Sequence, residues 1–416
     1  MKLLKEVLEE IKPSKEEEKE VREKIYDFLS KLNKNLKDAK ALLGGSGAKD
    51  TWISKAHDAD VFVQFNYKKY KDKSDKLSDI LEKVLKKAFG KIKRLHGSRD
   101  YFQIKQKAFT FEVVPILKIS KAEDALNITD VSPLHADWVK RSAPLADEIR
   151  LAKQFCKANR VYGAESYIKG FSGYICEVLT INYCGFLKLV REAAKWKPKT
   201  IIDFAGYYKN KNDILFNLNK SKQQGPMILI DPVQKDRNAA AALNEEKYLQ
   251  FVYACKEFLK KPSKKFFEVK EVTIEELKKR AKKDKLILLN VKSLKGKEDV
   301  VGSKLLKAVE FIDKQLKEND FKVYEYGWKW DKGADALFWF VVDKKSLSSH
   351  VVRQGPPVKI ENHASRFKKQ YKGKVKIVRG KLVAKVKRDF REISEFVKKL
   401  IKDKYIKEKV KRITIK

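Results

Sequence analysis

Cysteine is scarce and poorly placed for chemistry: the chain has four, Cys156, Cys176, Cys184 and Cys255, and none belongs to a Cys-x-x-Cys pair. Their neighbours are apolar residues at helical spacing, which predicts buried reduced thiols and excludes a structural zinc site or a disulfide framework. No apolar run approaches the roughly 20 residues needed to cross a bilayer, and Met1-Lys2-Leu3-Leu4-Lys5-Glu6 holds no signal-like apolar stretch. The expectation is a soluble, cytoplasmic protein with no membrane partner. Acidic residues are the other shortage: 56 against 95 Lys and Arg in 416 residues, a formal charge of +39. That excess calls for a polyanion, and charge alone leaves nucleic acid and an anionic surface both open.

What is present suffices for folding. Apolar residues make up 43% of the chain, and at roughly 100–200 residues per domain its length predicts two to four domains, each with a core. Leu3, Leu4, Val7, Leu8 and Ile11, then Val21, Ile25, Phe28, Leu29 and Leu32, recur at helical spacing on either side of Pro13, so two amphipathic helices open the chain. A small-residue turn follows at Leu42 to Trp52, then a strand at Asp58 to Phe65 and a helix near Ile80 to Leu85. Further strands are predicted at Lys91–Arg94, Tyr101–Lys105 and Phe109–Leu117.

From Pro144 to about Leu259 the pattern is helical. After Lys261-Pro262-Ser263 it changes to a strand at Leu286–Leu289, a helix at Leu305–Leu316 and strands at Phe321–Trp328 and Ala336–Val342. A hairpin around Gly380 and a helix carrying Phe390, Ile393, Val397, Leu400 and Ile401 lie in a heavily basic closing segment. The fold class is α+β multidomain: an α/β head at 1–140, a helical neck at 141–260, a small α+β body at 261–350 and a basic α+β tail at 351–416.

Two features carry chemistry. Asp58 and Asp60 are two apart, so on a strand they leave the same face, while Ala59, Val61, Val63 and Phe65 point to the other. Glu112 is a lone acid in the apolar strand Phe109 to Pro115. Three such carboxylates suit Mg²⁺, which completes its shell with water and phosphate oxygens; a solvated strand face is the structural alternative. The turn Gly44-Gly45-Ser46-Gly47 lets backbone N–H groups and the Ser46 hydroxyl approach a phosphate. It lacks the Gly-x-x-x-x-Gly-Lys-Ser/Thr spacing of a P-loop, and by itself it is equally a plain turn.

Gly45-Ser46-Gly47-Ala48-Lys49-Asp50-Thr51-Trp52 followed by Asp58-Ala59-Asp60-Val61-Phe62 resembles the signature of polymerase-beta-like nucleotidyltransferases. Pro133-Leu134-His135-Ala136-Asp137-Trp138-Val139, Val161-Tyr162-Gly163-Ala164-Glu165, Gly170-Phe171-Ser172-Gly173-Tyr174-Ile175-Cys176-Glu177, and Asp231-Pro232-Val233 with Arg237-Asn238-Ala239-Ala240-Ala241 narrow the resemblance to the archaeal class I CCA-adding enzymes, the tRNA nucleotidyltransferases. The similarity runs from about Leu42 to Leu259. Beyond residue 265 it rests on length, domain order and Arg353-Gln354-Gly355-Pro356-Pro357.

The resemblance implies template-independent addition of C, C and A to the tRNA 3′ end from CTP and ATP, with release of pyrophosphate. Asp58, Asp60 and Glu112 would hold two Mg²⁺ ions, Glu112 standing where the family carries Asp. Ser46, Lys49, Lys153 and Tyr162 would contact the triphosphate, and His135 and Arg237 would lie near the nucleotide. Structural alternatives exist for each: surface charge for Lys49 and Lys153, core packing for Tyr162, a local cap for His135, and pairing of Arg237 with Asp231 or Asp236.

The tRNA backbone would meet the basic closing segment, including Arg353, Arg366, Lys368, Lys369, Lys387 and Arg388. Tyr324, Trp328, Trp330 and Trp339 can stack on RNA or fill a core. Two other readings stand beside this one, a poly(A) polymerase-like enzyme and a noncatalytic RNA-binding protein; whether a homodimer forms is left open.

Overall fold

Pro13 and Ser14 divide the opening apolar stretch into α1 (Lys2–Ile11) and α2 (Lys15–Asn33). Ser14 caps α2 by accepting from the Glu17 amide, and Glu16, Glu17 and Glu18 place negative charge at its positive end. The computed structural model describes residues 2–55 and 57–416, which form two units, Met1–Lys270 and Glu271–Lys416.

The first unit begins with a five-stranded sheet: β1 (Ala39–Leu43), then the one-turn helix α3 (Gly45–Ala48), β2 (Asp58–Phe65), the short helix α4 (Tyr67–Tyr70), α5 (Leu77–Phe89), β3 (Lys93–Leu95), β4 (Tyr101–Gln106) and β5 (Phe109–Leu117). The strand order is β1-β2-β5-β4-β3, and β2–β5 is its parallel pair. The inward faces of β2 and β5 pack on α2 and α5, with Phe28 stacked on Phe111 at 3.9 Å between ring centroids. The turn expected from Leu42 begins later, because Leu42 and Leu43 belong to β1. Ala-Lys-Ala-Leu-Leu has weak strand preference, and antiparallel pairing with β2 makes it a strand.

Helices α6 (Ser132–Lys140), α7 (Ala146–Ala158), α8 (Gly173–Asn182) and α9 (Phe186–Ala193) follow, then β6 (Thr200–Ile202), α10 (Lys211–Asn217), β7 (Met227–Leu229) and α11 (Glu245–Lys260). The parallel pair β6–β7 interrupts the expected all-helical stretch; strands of three residues are too short to leave a periodic signal. Leu4, Val7 and Ile11 of α1 share one core with α7, α8, α9 and α11, so the first helix packs with the later helices rather than with the sheet. The apolar pair α8 and α9, bent by 94° at its break, belongs to this core, and no single helix is long and apolar enough to cross a membrane among the described residues. Cys156, Cys176 and Cys255 are buried free thiols as expected; Cys184 is exposed, because it lies past the end of α8.

The second unit contains α12 (Ile274–Ala281), β8 (Lys285–Lys292), α13 (Glu298–Glu318), β9 (Val323–Trp330), β10 (Asp335–Val342), β11 (His350–Pro357), α14 (Glu361–Gln370), β12 (Val375–Val378), β13 (Lys381–Lys387), α15 (Ile393–Leu400), α16 (Lys404–Lys409) and β14 (Arg412–Ile415). Its main antiparallel sheet has the order β14-β8-β10-β9, and β11-β13-β12 form a second, three-stranded sheet beside α14. The chain therefore leaves the main sheet after β10 and returns to it. Ile393, Phe396, Val397, Leu400, Ile406 and Val410 enter the core built on α13, and β14 pairs with β8. Trp339 is buried against Leu277 and Leu288, which makes it packing; Trp328 and Trp330 are partly buried against the α13 core, and Tyr324 is exposed.

One buried ion pair closes the five-stranded sheet. Asp130, with no solvent exposure, accepts from Arg99 and from the Leu117 and Asn127 amides (2.9 Å each), tying the chain after β5 to the strand itself. Asp130→Ala strands Arg99 without a counter-ion and is expected to lower stability by about 3–5 kcal/mol, read by urea denaturation of the full chain.

Candidate active site

Parallel pairing of β2 with β5 sets Asp60 directly beside Glu112, and Asp58 lies one pleat along on the same outward face. Gln103 of β4 is next in the row and donates to Glu112 Oε1 at 2.7 Å. The three predicted carboxylates thus share one patch, but Glu112 is turned to Gln103, and no ready-made group of three metal ligands occurs among the described residues. The Asp60 carboxyl is pushed up to about 6, first by burial and then by the charges of Glu112 and Asp58, with Lys49 opposing. Crowded carboxylate oxygens on one face suit a hard divalent cation in donor type and in charge.

The Gly-Ser turn lies against this patch. Gly45 has φ +53°, and a Cβ there would fall 1.7 Å from Asp60 Oδ2, so only glycine lets the start of α3 rest on the carboxylate. Ser46, Gly47, Trp52, Asp58, Asp60 and Arg22 are among the residues lining a cavity of about 80 Å³ beside it.

The loop after α3 is held from α7 and α8. Arg150, almost fully buried, donates to Trp52 O (2.9 Å) and reaches Asp50 (3.1 Å). One turn on, Lys153 donates to Thr51 Oγ1 (2.8 Å), Thr51 O (3.3 Å) and Glu177 Oε1 (2.7 Å). Lys49 donates to the other oxygen, Glu177 Oε2, at 2.7 Å, and Thr51 Oγ1 donates to Glu177 Oε1 at 3.0 Å. Burial alone would raise Glu177, but the two ammonium groups outweigh it and hold the carboxyl below its ordinary value; burial lowers Lys153 despite Glu177. Tyr162 is partly buried against this core, its hydroxyl close to Gly173 at the start of α8, and Lys157 lies 5.3 Å from its ring centroid.

A second buried carboxylate gathers His135 and Arg237. Asp231 pairs with Arg237, accepts from Tyr174 Oη (2.9 Å) and the Val233 amide (2.9 Å), and lies 3.0 Å from His135 Nε2. The His135 and Tyr174 rings are 4.3 Å apart. Pairing of Arg237 with Asp231 is thus present, and it fixes the guanidinium beside His135. Glu177, Asp231, Tyr174 and Gln103 were not among the candidates. For Glu177 a signal existed: like Glu112 it is a lone acid within an apolar run.

Of the six predicted RNA contacts, Arg366, Lys368 and Lys369 are exposed on α14, Lys387 is exposed at the end of β13, and Arg353 is half-buried on β11. Arg388 is engaged elsewhere, donating to Asp320 Oδ2 at 2.6 Å.

Comparison with known proteins adds three matches along the chain. Residues 1–145 match the second messenger oligonucleotide or dinucleotide synthetase domain, 147–268 the second domain of tRNA nucleotidyltransferase, and 282–413 the C-terminal domain of the CCA-adding enzyme. The CCA-adding enzyme of Nanoarchaeum equitans is 34% identical over 84% of this chain and 84% of its own; that of Methanocaldococcus jannaschii is 31% identical over 96% and 90%. The chain belongs to the CCA-adding enzyme family. It is a nucleotidyltransferase that acts on tRNA 3′ ends, and enzymes of this kind work with a divalent metal. The solved structure of Cid1, an RNA terminal uridylyl transferase, is similar at a TM-score of 0.51 and 14% identity, covering 66% of this chain and 98% of that one; a cytoplasmic RNA terminal U-transferase gives 0.50, 16%, 65% and 98%. Those two likenesses concern the fold.

In this CCA-adding enzyme the Asp231 carboxyl is held at about 2, because His135, Arg237 and the Val233 amide outweigh the opposing effect of burial. Its folded value lies below the ordinary 3.8, so its contribution is complete above the ordinary value and is lost as pH falls toward about 2. Asp231→Asn is expected to lower stability at pH 7 by about 2 kcal/mol, with the gap from the parent narrowing in urea denaturation as the pH is lowered from about 5 toward about 2.

Proposed function

We propose that this enzyme adds C, C and A in turn to the tRNA 3′ end from CTP and ATP, without a template, and releases pyrophosphate. The observation that carries the site assignment is the shared face of Asp58, Asp60 and Glu112 beside a glycine-tight turn. Asp58, Asp60 and Glu112 would hold two Mg²⁺ ions, whose charge favours 3′-hydroxyl attack on the α-phosphorus and stabilises the leaving pyrophosphate.

The chain's own groups prepare that displacement. Ser46 presents a hydroxyl at the turn, and Lys49 has two N–H donors beyond the one given to Glu177. All three donors of Lys153 are engaged within the protein, so it serves the triphosphate through charge. Tyr162 closes the same wall. On the base side, Asp231 orients Arg237 and His135. Arg237 offers donors and no acceptor, so the change from CTP to ATP needs a pocket completed by the RNA end as well.

In this reading the chain divides into a head at 1–140, a neck at 141–260, a body at 261–350 and a tail at 351–416, with α15 and α16 of the tail in the body's core and β14 in its sheet. Arg353, Arg366, Lys368, Lys369 and Lys387 neutralise tRNA phosphates, Arg388 is anchored on Asp320, and recognition is mainly by shape. The same reading puts the enzyme in the cytoplasm with its tRNA; light scattering of the purified protein tests for a homodimer.

A tRNA transcript lacking its CCA, incubated with Mg²⁺ and CTP or ATP singly and together, is expected to gain three nucleotides and stop. Long A tails would favour a poly(A) polymerase, and failure to extend under varied metal and salt would favour a binding protein. Asp60→Ala is expected to lower extension by at least about a hundredfold while tRNA binding is retained in a gel-shift measurement; retained turnover would remove Asp60 from the mechanism. Binding itself should weaken by orders of magnitude between about 50 and about 200 mM salt.

A further inference from the structure

Glu177 has no solvent exposure, and its two oxygens take three hydrogen bonds from groups that otherwise belong to different parts of the first unit. Lys49 and Thr51 come from the segment after the Gly-Ser turn, and Lys153 comes from α7. One carboxylate thus faces two ammonium groups, leaving this small polar island with one positive charge in excess. The division between the lysines is unequal. Lys153 has its three donors committed to Thr51 and Glu177, and its side chain is 4% exposed, against 11% for Lys49. Lys49 gives one donor to Glu177, and its charge is felt at Asp60.

We propose that Glu177 is a positioning residue for the triphosphate: it clamps the segment Lys49–Thr51 to the neck helices and aims Lys49, with two donors free, past the carboxylate patch at an incoming nucleotide. The proposal rests on the reading that Lys49 and Lys153 serve the triphosphate. Glu177 touches no reacting atom; it acts through Lys49. Without the carboxylate, Lys49 loses its anchor, and the two ammonium groups face each other with no counter-charge between them.

The test compares Glu177→Gln, Lys49→Met and Lys153→Met in the full-length enzyme, with KM for CTP, KM for tRNA, kcat and thermal midpoint measured for each. Glu177→Gln is expected to raise the KM for CTP about tenfold, the effect of one lost charge-assisted hydrogen bond, with a smaller change in kcat and none in the KM for tRNA. An unchanged KM for CTP in Glu177→Gln, while either lysine variant raises it, overturns the role of Glu177. If neither lysine variant moves that KM, the triphosphate reading itself fails. A uniform loss of kcat and of both substrates' affinity, in step with a lowered thermal midpoint, makes Glu177 merely structural and also overturns the proposal. Should Glu177→Gln not fold, the double variant Glu177→Gln/Lys153→Met removes one charge of each sign. It is expected to show a higher KM for CTP than Lys153→Met alone, and equality of the two sinks the idea.

Discussion

A carboxylate withdrawn from water has to be matched by cations and hydrogen-bond donors, because the energy of burying it unpaired exceeds what one domain's stability can absorb. Glu177 meets that requirement with Lys49, Lys153 and Thr51, and the matching dictates how the Gly-Ser turn sits. The turn cannot drift from α7 and α8 without separating those partners. Its position against β2 is in turn set from the other side by Gly45, whose missing side chain leaves room for Asp60. The placement of Ser46 and Lys49 relative to the carboxylate patch follows from these two contacts.

The same device recurs. Asp231 gathers His135, Tyr174 and Arg237, and Asp130 secures Arg99 and three backbone amides. In a chain with a charge of +39 the few buried acids act as anchors for cations at defined points, whereas most Lys and Arg residues lie on the surface. Surface charge gives tRNA affinity without direction. The anchored cations are instead held at fixed positions by the acids that bury them.

Helices and strands with strong periodicity were readable from the residues: α2, α5, β2, β5, α7, β8, α13, β10 and the β12–β13 hairpin fall where apolar spacing puts them. Elements held mainly by their neighbours were not. β1 depends on β2, β6 and β7 depend on each other, and β14 finds β8 from more than a hundred residues away. β11 was hidden by Pro356 and Pro357, which an edge strand tolerates because it needs donors on only one side. In the site, Asp58, Asp60, Glu112 and the turn were legible because acids in an apolar strand and clustered small residues are local signals. Glu177 carries the same local signal and Asp231 stands near Arg237 in sequence, but the partners each one gathers, up to 128 positions distant, are brought together only by the fold.

Residue order alone determined the groups available to this protein: carboxylates two apart on a strand, a glycine-rich turn, a vast cationic surplus, and motifs that place it with the CCA-adding enzymes. Those properties are local or compositional, so they survive without a fold. Tertiary structure decided which acid stands beside Asp60, which cations are held and which keep donors free, and that the basic closing segment returns to complete the sheet of β8, β9 and β10. Each of those depends on register or on burial across long stretches of chain, and neither exists until the strands pair and water is excluded.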